Sequence, residues 1–176
     1  IASAFGMVAN MGVYNKPFSI QRIEDFNGNT LYEKFYQGVQ RLSQQSVYPL
    51  LDMMRGVVEM GTARVVRRMG FRHPAAGKTG TTNDFKDAWF SGFTKDLSVT
   101  VWVGKDDNQP MRDKNNKGVT GARGAAPIWV FFMQKALKDK NRINFPVPER
   151  IRFEVVDTQT GYFPSENSRT KINVAL

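Results

Sequence analysis

The chain has 176 residues, and its content of 41% hydrophobic and 12% aromatic residues excludes a disordered polypeptide and predicts a folded core. It has no Cys and one His, which excludes disulfides, thiolate metal sites and most zinc sites, and no metal or cofactor is predicted. The 25 basic and 16 acidic residues give a net charge of +9 that attracts anions, but they form no recognisable nucleic-acid motif, so no nucleic-acid partner is predicted.

The first predicted elements are a helix and a hairpin. Apolar residues at helical spacing predict the end of a core helix over residues 1–9, and Asn10 to Gly12 provide its stop. Asn27-Gly28 is a strong hairpin signal, which predicts that an extended stretch from Phe18 to Glu24 returns through Thr30 to Tyr32.

A second helix is predicted after the polar run from Gln37 to Ser46, which we interpret as a loop. Pro49 suits the first turn of this helix, because proline has no N–H to leave unpaired there. Apolar residues then follow at helical spacing and predict the buried stripe, which comprises Leu50, Met53, Met54, Val57, Val58 and Gly61.

A short helix is predicted between this second helix and the candidate site. Thr62 can cap it and Gly70 can end it. Arg67 and Arg68 on this helix are predicted to be solvated. His73 has no visible catalytic partner, so we expect it to pack near the turn that follows.

Three strands come next, and the first of them carries the candidate site. It lies in the small-residue run Ala75 to Asn83, and a turn around Asp84 leads to a second strand over Ala88 to Phe93. The third, Leu97 to Gly104, alternates apolar and polar residues. Short connections between the three predict an antiparallel sheet.

The last part of the chain is predicted to hold a loop, a helix and a β extension. The polar, Gly-rich segment 106–124 is either a surface loop or a lid over a cleft. Pro127 begins a helix in which residues 126–133 are apolar almost all round, which predicts burial against the sheet. Two later prolines mark a boundary, so we predict one domain over 1–143 and a small β element over 144–176.

The small-residue run around Lys78 carries the chemistry of the chain. In an extended strand Thr79 and Thr81 share one face, whereas Lys78 and Gly80 share the other. Two hydroxyls therefore line up close to an ammonium, and Gly80 marks a place where a ligand or another backbone can come close. This combination suits a carboxylate that lies along the strand.

Two other interpretations of the run are weaker. Gly-Lys-Thr ends the phosphate-binding loop, but that motif needs a glycine at the position where Arg72 stands. An ordinary strand with an incidental Lys78 is the other alternative, because a match of only a few residues is weak by itself.

In its wider context the run resembles the penicillin-binding transpeptidases, most closely the bifunctional, high-molecular-mass class that builds peptidoglycan. Lys-Thr-Gly is followed by Thr-Thr-Asn, and further blocks follow the family's order over most of residues 1–140, namely Phe5 to Gly12, Val57 to Ala63, Asp87 to Gly92, Val101 to Asp107 and Gly124 to Trp129. The resemblance implies an α+β fold of the β-lactamase/transpeptidase type, with an antiparallel sheet flanked by helices, of which this chain is the C-terminal part.

The other two motifs of such enzymes are not in their expected places. The family carries Ser-x-x-Lys, then Ser-x-Asn, then Lys-Thr-Gly. Ser165 to Asn167 and Ser168 to Lys171 match the first two motifs as strings, but they follow Lys-Thr-Gly in reversed order, and we interpret them as chance matches. The chain is therefore expected to lack the nucleophile and to need, as its partner, the N-terminal part of the same domain.

The resemblance implies serine acyl transfer on the D-Ala-D-Ala amide of peptidoglycan stem peptides, which β-lactams mimic. Lys78 would hydrogen-bond the Ser of the missing Ser-x-Asn motif and supply positive charge beside the substrate carboxylate, which Thr79 and Thr81 would bind. The backbone N–H of Thr81 would be an oxyanion donor, so Lys78 and Thr81 are the predicted catalytic residues. Gly80 and Thr82 complete the predicted substrate-binding strand.

The resemblance also implies a periplasmic location at the cytoplasmic membrane, an upstream membrane anchor, and a glycosyltransferase domain in the full-length protein. The chain itself shows no signal peptide and no apolar run near the about 18 residues that a membrane helix needs. Two alternatives stay open, a penicillin-recognising sensor that binds without turnover and a serine β-lactamase. Sequence upstream of Ile1 would separate the sensor from the transpeptidase.

Overall fold

The computed structural model describes residues 1–166 and 168–176 and contains four helices and nine strands within them. The helices are α1 (Ala2–Ala9), α2 (Gln44–Glu59), α3 (Val65–Arg68) and α4 (Ala125–Ala136). The strands are β1 (Val13–Tyr14), β2 (Arg22–Glu24), β3 (Thr30–Glu33), β4 (Val39–Gln40), β5 (Ala76–Thr81), β6 (Asp87–Phe93), β7 (Ser98–Gly104), β8 (Phe153–Asp157) and β9 (Lys171–Ala175).

A three-stranded antiparallel sheet, ordered β5-β6-β7, organises the chain and confirms the predicted sheet. On one face α4 packs against β6, where the indole N–H of Trp129 donates to the carbonyl of Gly92 at 3.2 Å. On the other face α1 and α2 enclose Phe93 in a second buried cluster. The fold is thus the predicted antiparallel sheet flanked by helices.

The N-terminal region largely follows the sequence prediction. Helix α1 ends before Met11 and Gly12, both of which have positive φ. Strands β2 and β3 form the predicted hairpin around Gly28. The prediction of a loop over 37–46 was wrong in two ways, since β4 pairs with β1 and α2 already begins at Gln44. Strands β1 and β4 are two residues long, too short for a periodic signal.

Helix α2 begins earlier than predicted, and of the predicted stripe it buries Met54 and Val58 but not Leu50 or Met53. Ser43 is its N-cap, and the Ser43 hydroxyl accepts a hydrogen bond from the backbone N–H of Ser46 at 3.1 Å. Pro49 therefore lies inside the helix and removes one backbone donor. The buried residues are Val47, Tyr48, Leu51, Met54 and Val58, while Met53 of the predicted stripe is 65% exposed.

Helix α4 confirms the predicted helix but not its predicted burial on all sides. Ala125, Ala126, Trp129, Val130 and Met133 are buried on its sheet-facing side. Ile128, Phe131 and Phe132 are each at least half exposed. A helix that lies on one sheet can bury only the face it turns to that sheet, so an even apolar composition does not by itself produce burial all round.

The C-terminal residues form a hairpin that packs on α2. Strands β8 and β9 pair from Phe153 with Ala175 to Asp157 with Lys171. The ring of Phe153 meets that of Tyr48 edge-on at 6.2 Å, and Ala175 is buried in the cluster around Phe93. The predicted boundary between 143 and 144 remains a prediction. None of the helices in the described residues combines the length and apolarity needed to cross a membrane.

Candidate active site

Strand β5 lies at an edge of the central sheet, where every second residue directs its backbone groups away from β6. The N–H of Thr82 donates to the carbonyl of Asp87 at 3.1 Å, which fixes the hydrogen-bonded pairs of the antiparallel ladder. Because such pairs alternate, Lys78 and Gly80 direct their backbone groups toward β6, while Thr79 and Thr81 direct theirs outward. Within the described residues this is a free edge, onto which an extended ligand can add as a further strand.

The side chains of Thr79 and Thr81 meet in one cavity on the α4 side of the sheet. This threonine cavity has a volume of about 590 Å³ and is lined by Gly61, Thr62, Arg64, Thr79, Thr81, Thr120 and Ala122. The Thr79 hydroxyl lies 2.8 Å from that of Thr62, and the Thr81 hydroxyl accepts a hydrogen bond from the N–H of Gly121 at 3.0 Å. The cavity therefore brings together hydroxyls from three separate segments of the chain.

Lys78 lies on the opposite face of β5, as the alternation predicts. Its side chain lines a groove of about 450 Å³ between α2 and β9, here named the lysine groove. The ammonium of Lys78 donates to the carbonyl of Thr79 at 2.7 Å, so it reaches the free edge of the sheet. The Lys78 ammonium and the hydroxyls of Thr79 and Thr81 therefore lie on opposite faces of β5. They could come together only at the free edge of the strand.

Thr82 lies outside the threonine cavity, at the start of the turn between β5 and β6. The hydroxyl of Thr82 accepts a hydrogen bond from the N–H of Asp87 at 2.8 Å, so it caps the turn. The side chain lines a separate depression of about 610 Å³ together with Phe85 and Arg112. Of the residues predicted for the site, Thr79 and Thr81 line the threonine cavity, whereas Lys78, Gly80 and Thr82 do not.

Gly121 belongs to the site, and the sequence analysis did not identify it. A Cβ on Gly121 would lie 2.2 Å from the carbonyl oxygen of Trp89 and 2.6 Å from that of Gly80. Only a glycine can approach β5 and β6 so closely while its N–H reaches Thr81. The three glycines at Gly118, Gly121 and Gly124 were the available signal, because glycine in a loop often marks a close backbone approach.

The segment 106–124 is hydrogen-bonded to β5 through Gly121 and to the turn after β5 through Met111, and Asp113 stabilises it internally. Met111 donates its N–H to the carbonyl of Phe85 at 2.9 Å. The carboxylate of Asp113 accepts from the N–H groups of Lys117 and Asn115, each at 2.9 Å, and forms an ion pair with Arg123. These bonds, that of Lys117 foremost, hold the pKa of Asp113 below its ordinary value. Thr120 and Ala122 of this loop form one wall of the threonine cavity.

The turn before β5 is held by Arg67, which corrects the prediction that this side chain is solvated. Arg67 pairs with Glu59 at 2.6 Å and donates to the carbonyls of Phe71 and His73 at 2.9 and 2.8 Å. These carbonyls have no partner in a helix or strand, so a guanidinium with several donors satisfies them. As expected, His73 packs at this turn, where it stacks on Phe71 at 5.5 Å.

Ser168 and Lys171 do not form a helical pair. A serine and a lysine three residues apart face each other on a helix. Here Ser168 precedes β9 and Lys171 is its first residue. The Ser168 hydroxyl accepts from the N–H of Ser165 at 3.0 Å. The other string match cannot be described in full, because Asn167 lies outside the described residues.

No group of three or more metal-ligating side chains occurs in the part of the chain that the structure describes.

Comparison with known proteins points to one family. A family model described as the penicillin binding protein transpeptidase domain matches residues 1–127. Penicillin-binding protein 1A of Aquifex aeolicus is 37% identical over 148 residues, which cover 84% of this chain and 20% of that protein. The chain spans between 20% and 23% of the length of the first curated relatives it matches.

Two solved structures share this fold. The crystal structure of penicillin-binding protein 1A from Haemophilus influenzae matches with a TM-score of 0.83 and 25% identity, over 98% of this chain and 31% of that one. The PonA1 protein from Mycobacterium tuberculosis, in complex with penicillin V, matches with a TM-score of 0.71 and 29% identity, over 84% of this chain and 40% of that one. These comparisons confirm both the resemblance and the fold class inferred from the sequence.

Proposed function

The chain belongs to the penicillin-binding protein transpeptidase domain family, and on that premise we propose that it forms the Lys-Thr-Gly wall of a peptidoglycan DD-transpeptidase active site. The observation that carries the proposal is the convergence of the Thr79 and Thr81 hydroxyls in one cavity beside the free edge of β5. A carboxylate lying along that edge would find hydroxyl and backbone donors together.

In the proposed reaction a serine hydroxyl from another segment attacks the carbonyl carbon of the D-Ala-D-Ala amide. The new ester bond forms, the C–N bond breaks, and the departing D-Ala amine takes a proton. The amine of a second stem peptide then attacks the ester and releases the serine. Covalent catalysis of this kind divides one difficult displacement into two easier steps. Penicillins would follow the first step through their strained amide.

Each residue of β5 would have its own part in this reaction. Thr79 and Thr81 would hold the substrate carboxylate, and the outward N–H of Thr81 would stabilise the oxyanion. Lys78 would turn from the carbonyl of Thr79 to the serine of the Ser-x-Asn motif. Gly80 would let the extended substrate lie close to the strand, and Thr82 would fix the end of the strand through its hydrogen bonds with Asp87.

We further propose that the remaining motifs lie in the N-terminal part of the same domain. That part would supply Ser-x-x-Lys and Ser-x-Asn, and in the full-length protein it would follow a membrane anchor and a glycosyltransferase domain. The reaction would then take place at the extracytoplasmic face of the bacterial cytoplasmic membrane. PonA1, which matches this chain, is known in complex with penicillin V, so β-lactams are proposed as covalent inhibitors here.

The decisive experiment measures how well the protein recognises a carboxylate. The second-order acylation constant is determined for benzylpenicillin and for its methyl ester, in the full-length protein and in its T79V/T81V variant. Because a charge-assisted hydrogen bond is worth about 1.5–3 kcal/mol, the variant should lose on the order of a hundredfold on benzylpenicillin and little on the ester. Thr30→Val, a strand threonine in a different sheet, is the matched control. Equal losses on both ligands would contradict the proposed role.

A second experiment tests the division of the active site between segments. We expect the 176-residue chain alone to form no covalent adduct with benzylpenicillin, because the proposed nucleophile lies in the N-terminal part of the domain. Ser168, in the chain's own Ser-x-x-Lys string, does not form a helical pair with Lys171. Intact-mass spectrometry after incubation measures the adduct. Stoichiometric added mass on Ser168 would refute the proposal that the nucleophile lies elsewhere.

A further inference from the structure

The charge of the threonine cavity comes from a residue that the Lys-Thr-Gly run does not contain. Among the residues that line this cavity, Arg64 is the one with an ionisable side chain, and no carboxylate lines it. Lys78, the cation expected beside the substrate carboxylate, lines the lysine groove on the other face of β5. The cavity is therefore positive because of Arg64.

The hydroxyls of the cavity are arranged to donate. The oxygen of Thr81 already accepts the N–H of Gly121 at 3.0 Å, so its own proton is available to a ligand. Between Thr62 and Thr79, 2.8 Å apart, one hydroxyl donates to the other, which leaves one proton of the pair available. The cavity thus offers two hydroxyl protons and a guanidinium, a set that matches an anion.

Arg64 is positioned to serve this cavity. It precedes α3, and its backbone N–H donates to the carbonyl of Gly61 at 3.2 Å, in the same turn that presents Thr62. None of the ion pairs of the described residues includes Arg64, whereas Arg67 on α3 is paired with Glu59. A guanidinium binds a carboxylate through two parallel N–H donors, which a hydroxyl cannot do.

We propose that Arg64 is a specificity-determining residue of the transpeptidase site, the cation that recognises the terminal carboxylate of the acyl donor, with Thr62 as a third hydroxyl around it. This inference rests on the proposed function and extends it. The two cations then have separate tasks, since Arg64 binds the carboxylate from the threonine cavity and Lys78 acts at the free edge on the reacting groups.

The test compares R64Q with R68Q in the full-length protein. Arg68 is an exposed arginine four residues later, on α3, and does not line the cavity, so it controls for net charge and for local structure. We expect R64Q to lower the acylation constant for benzylpenicillin about tenfold or more and that for its methyl ester less than about twofold, with R68Q unchanged on both ligands. R64K should recover part of the loss, because lysine keeps the charge but not the paired donors.

The outcomes separate this inference from the proposed function. A wild-type protein that prefers benzylpenicillin over the ester, together with an R64Q variant that keeps this preference, would overturn the role of Arg64 alone. A wild-type protein that forms no acyl-enzyme would overturn the proposed function and the role of Arg64 together. Combining R64Q with T81V adds a check, because two groups on one anion should give a combined loss smaller than the product of the single losses.

Discussion

Lys78 and Thr79 are neighbours in the chain, yet their side chains lie on opposite faces of one strand. Lys78 is exposed and its ammonium bonds only the carbonyl of Thr79 within the described residues. We expect Lys78→Ala to slow acylation of the full-length protein on the order of a hundredfold without lowering its melting temperature, since a cation at the reacting centre acts on the transition state. Stopped-flow acylation and a thermal melt measure the two effects.

Lys95→Ala is the matched control for Lys78, because Lys95 is exposed in the turn between β6 and β7. It should change neither measurement. If Lys78→Ala instead lowered the melting temperature and left acylation unchanged, Lys78 would be a structural residue.

Gly121 is the position where one added carbon should be most harmful. In Gly121→Ala the new Cβ would lie 2.2 Å from the carbonyl of Trp89, so the loop must move away and its N–H must leave Thr81. We expect a loss of stability of about 1–3 kcal/mol and acylation slowed about tenfold. Denaturant unfolding and acylation kinetics measure both.

Gly56→Ala should change the stability of the protein in the opposite direction to Gly121→Ala. Apart from the backbone of the helix itself, nothing lies within 4 Å of a Cβ added at Gly56, which is in the interior of α2. Alanine there should stabilise the protein by roughly 0.5–1 kcal/mol, because it removes backbone freedom from the unfolded chain. Similar destabilisation by both substitutions would show that contact with β5 and β6 is not what Gly121 provides.

At the scale of elements, the loop 106–124 should become less stable in acid, because protonation of Asp113 weakens the bonds that hold it. Its pKa is lowered in the folded protein, chiefly by the N–H of Lys117, so the ionised form supports the loop. This support is complete above the unfolded pKa of about 3.9 and is lost as the pH falls through the lower folded value. We expect proteolysis of the loop to increase below about pH 4, and Asp113→Asn to show the increased proteolysis already at neutral pH.

Several elements follow from local sequence alone, and others do not. The strands β5 to β7 were predictable because small and alternating residues with short turns specify an antiparallel sheet. The start of α2 was missed because Pro49 is a good first-turn residue, while the cap that decides the start, Ser43, stands in a polar run. The partial burial of α4 was missed because burial depends on which side meets the sheet.

The site was predictable where one strand builds it. Alternation within β5 gives the shared face of Thr79 and Thr81 from the sequence. Thr62, Arg64 and Gly121 come from segments that only the fold brings to β5. Thr62 is 17 residues before Thr79, and Gly121 is 40 residues after Thr81. Spacing along the chain carries no information about such contacts.

At the scale of the whole molecule, the C-terminal hairpin shares a core with the sheet. Ala175 is buried in the same cluster as Phe93 and Phe145, and its N–H donates to Asp52 on α2 at 3.3 Å. We expect removal of residues 149–176 to lower the melting temperature by roughly 5–10 °C, since it uncovers α2. Differential scanning calorimetry measures this. An unchanged melting temperature would mean that the extension is an independent unit, as its predicted boundary suggests.

The alternation of β5 also makes the order of its residues as important as their types. Exchanging two neighbours in a K78T/T79K variant keeps the composition and net charge, but it moves the ammonium into the threonine cavity and a hydroxyl into the lysine groove. Such a protein should still fold and bind anions, yet be unable to acylate. The function of β5 therefore depends on the lysine occupying one face of the strand and the two threonines the other. The amino-acid composition of the strand does not contain this information.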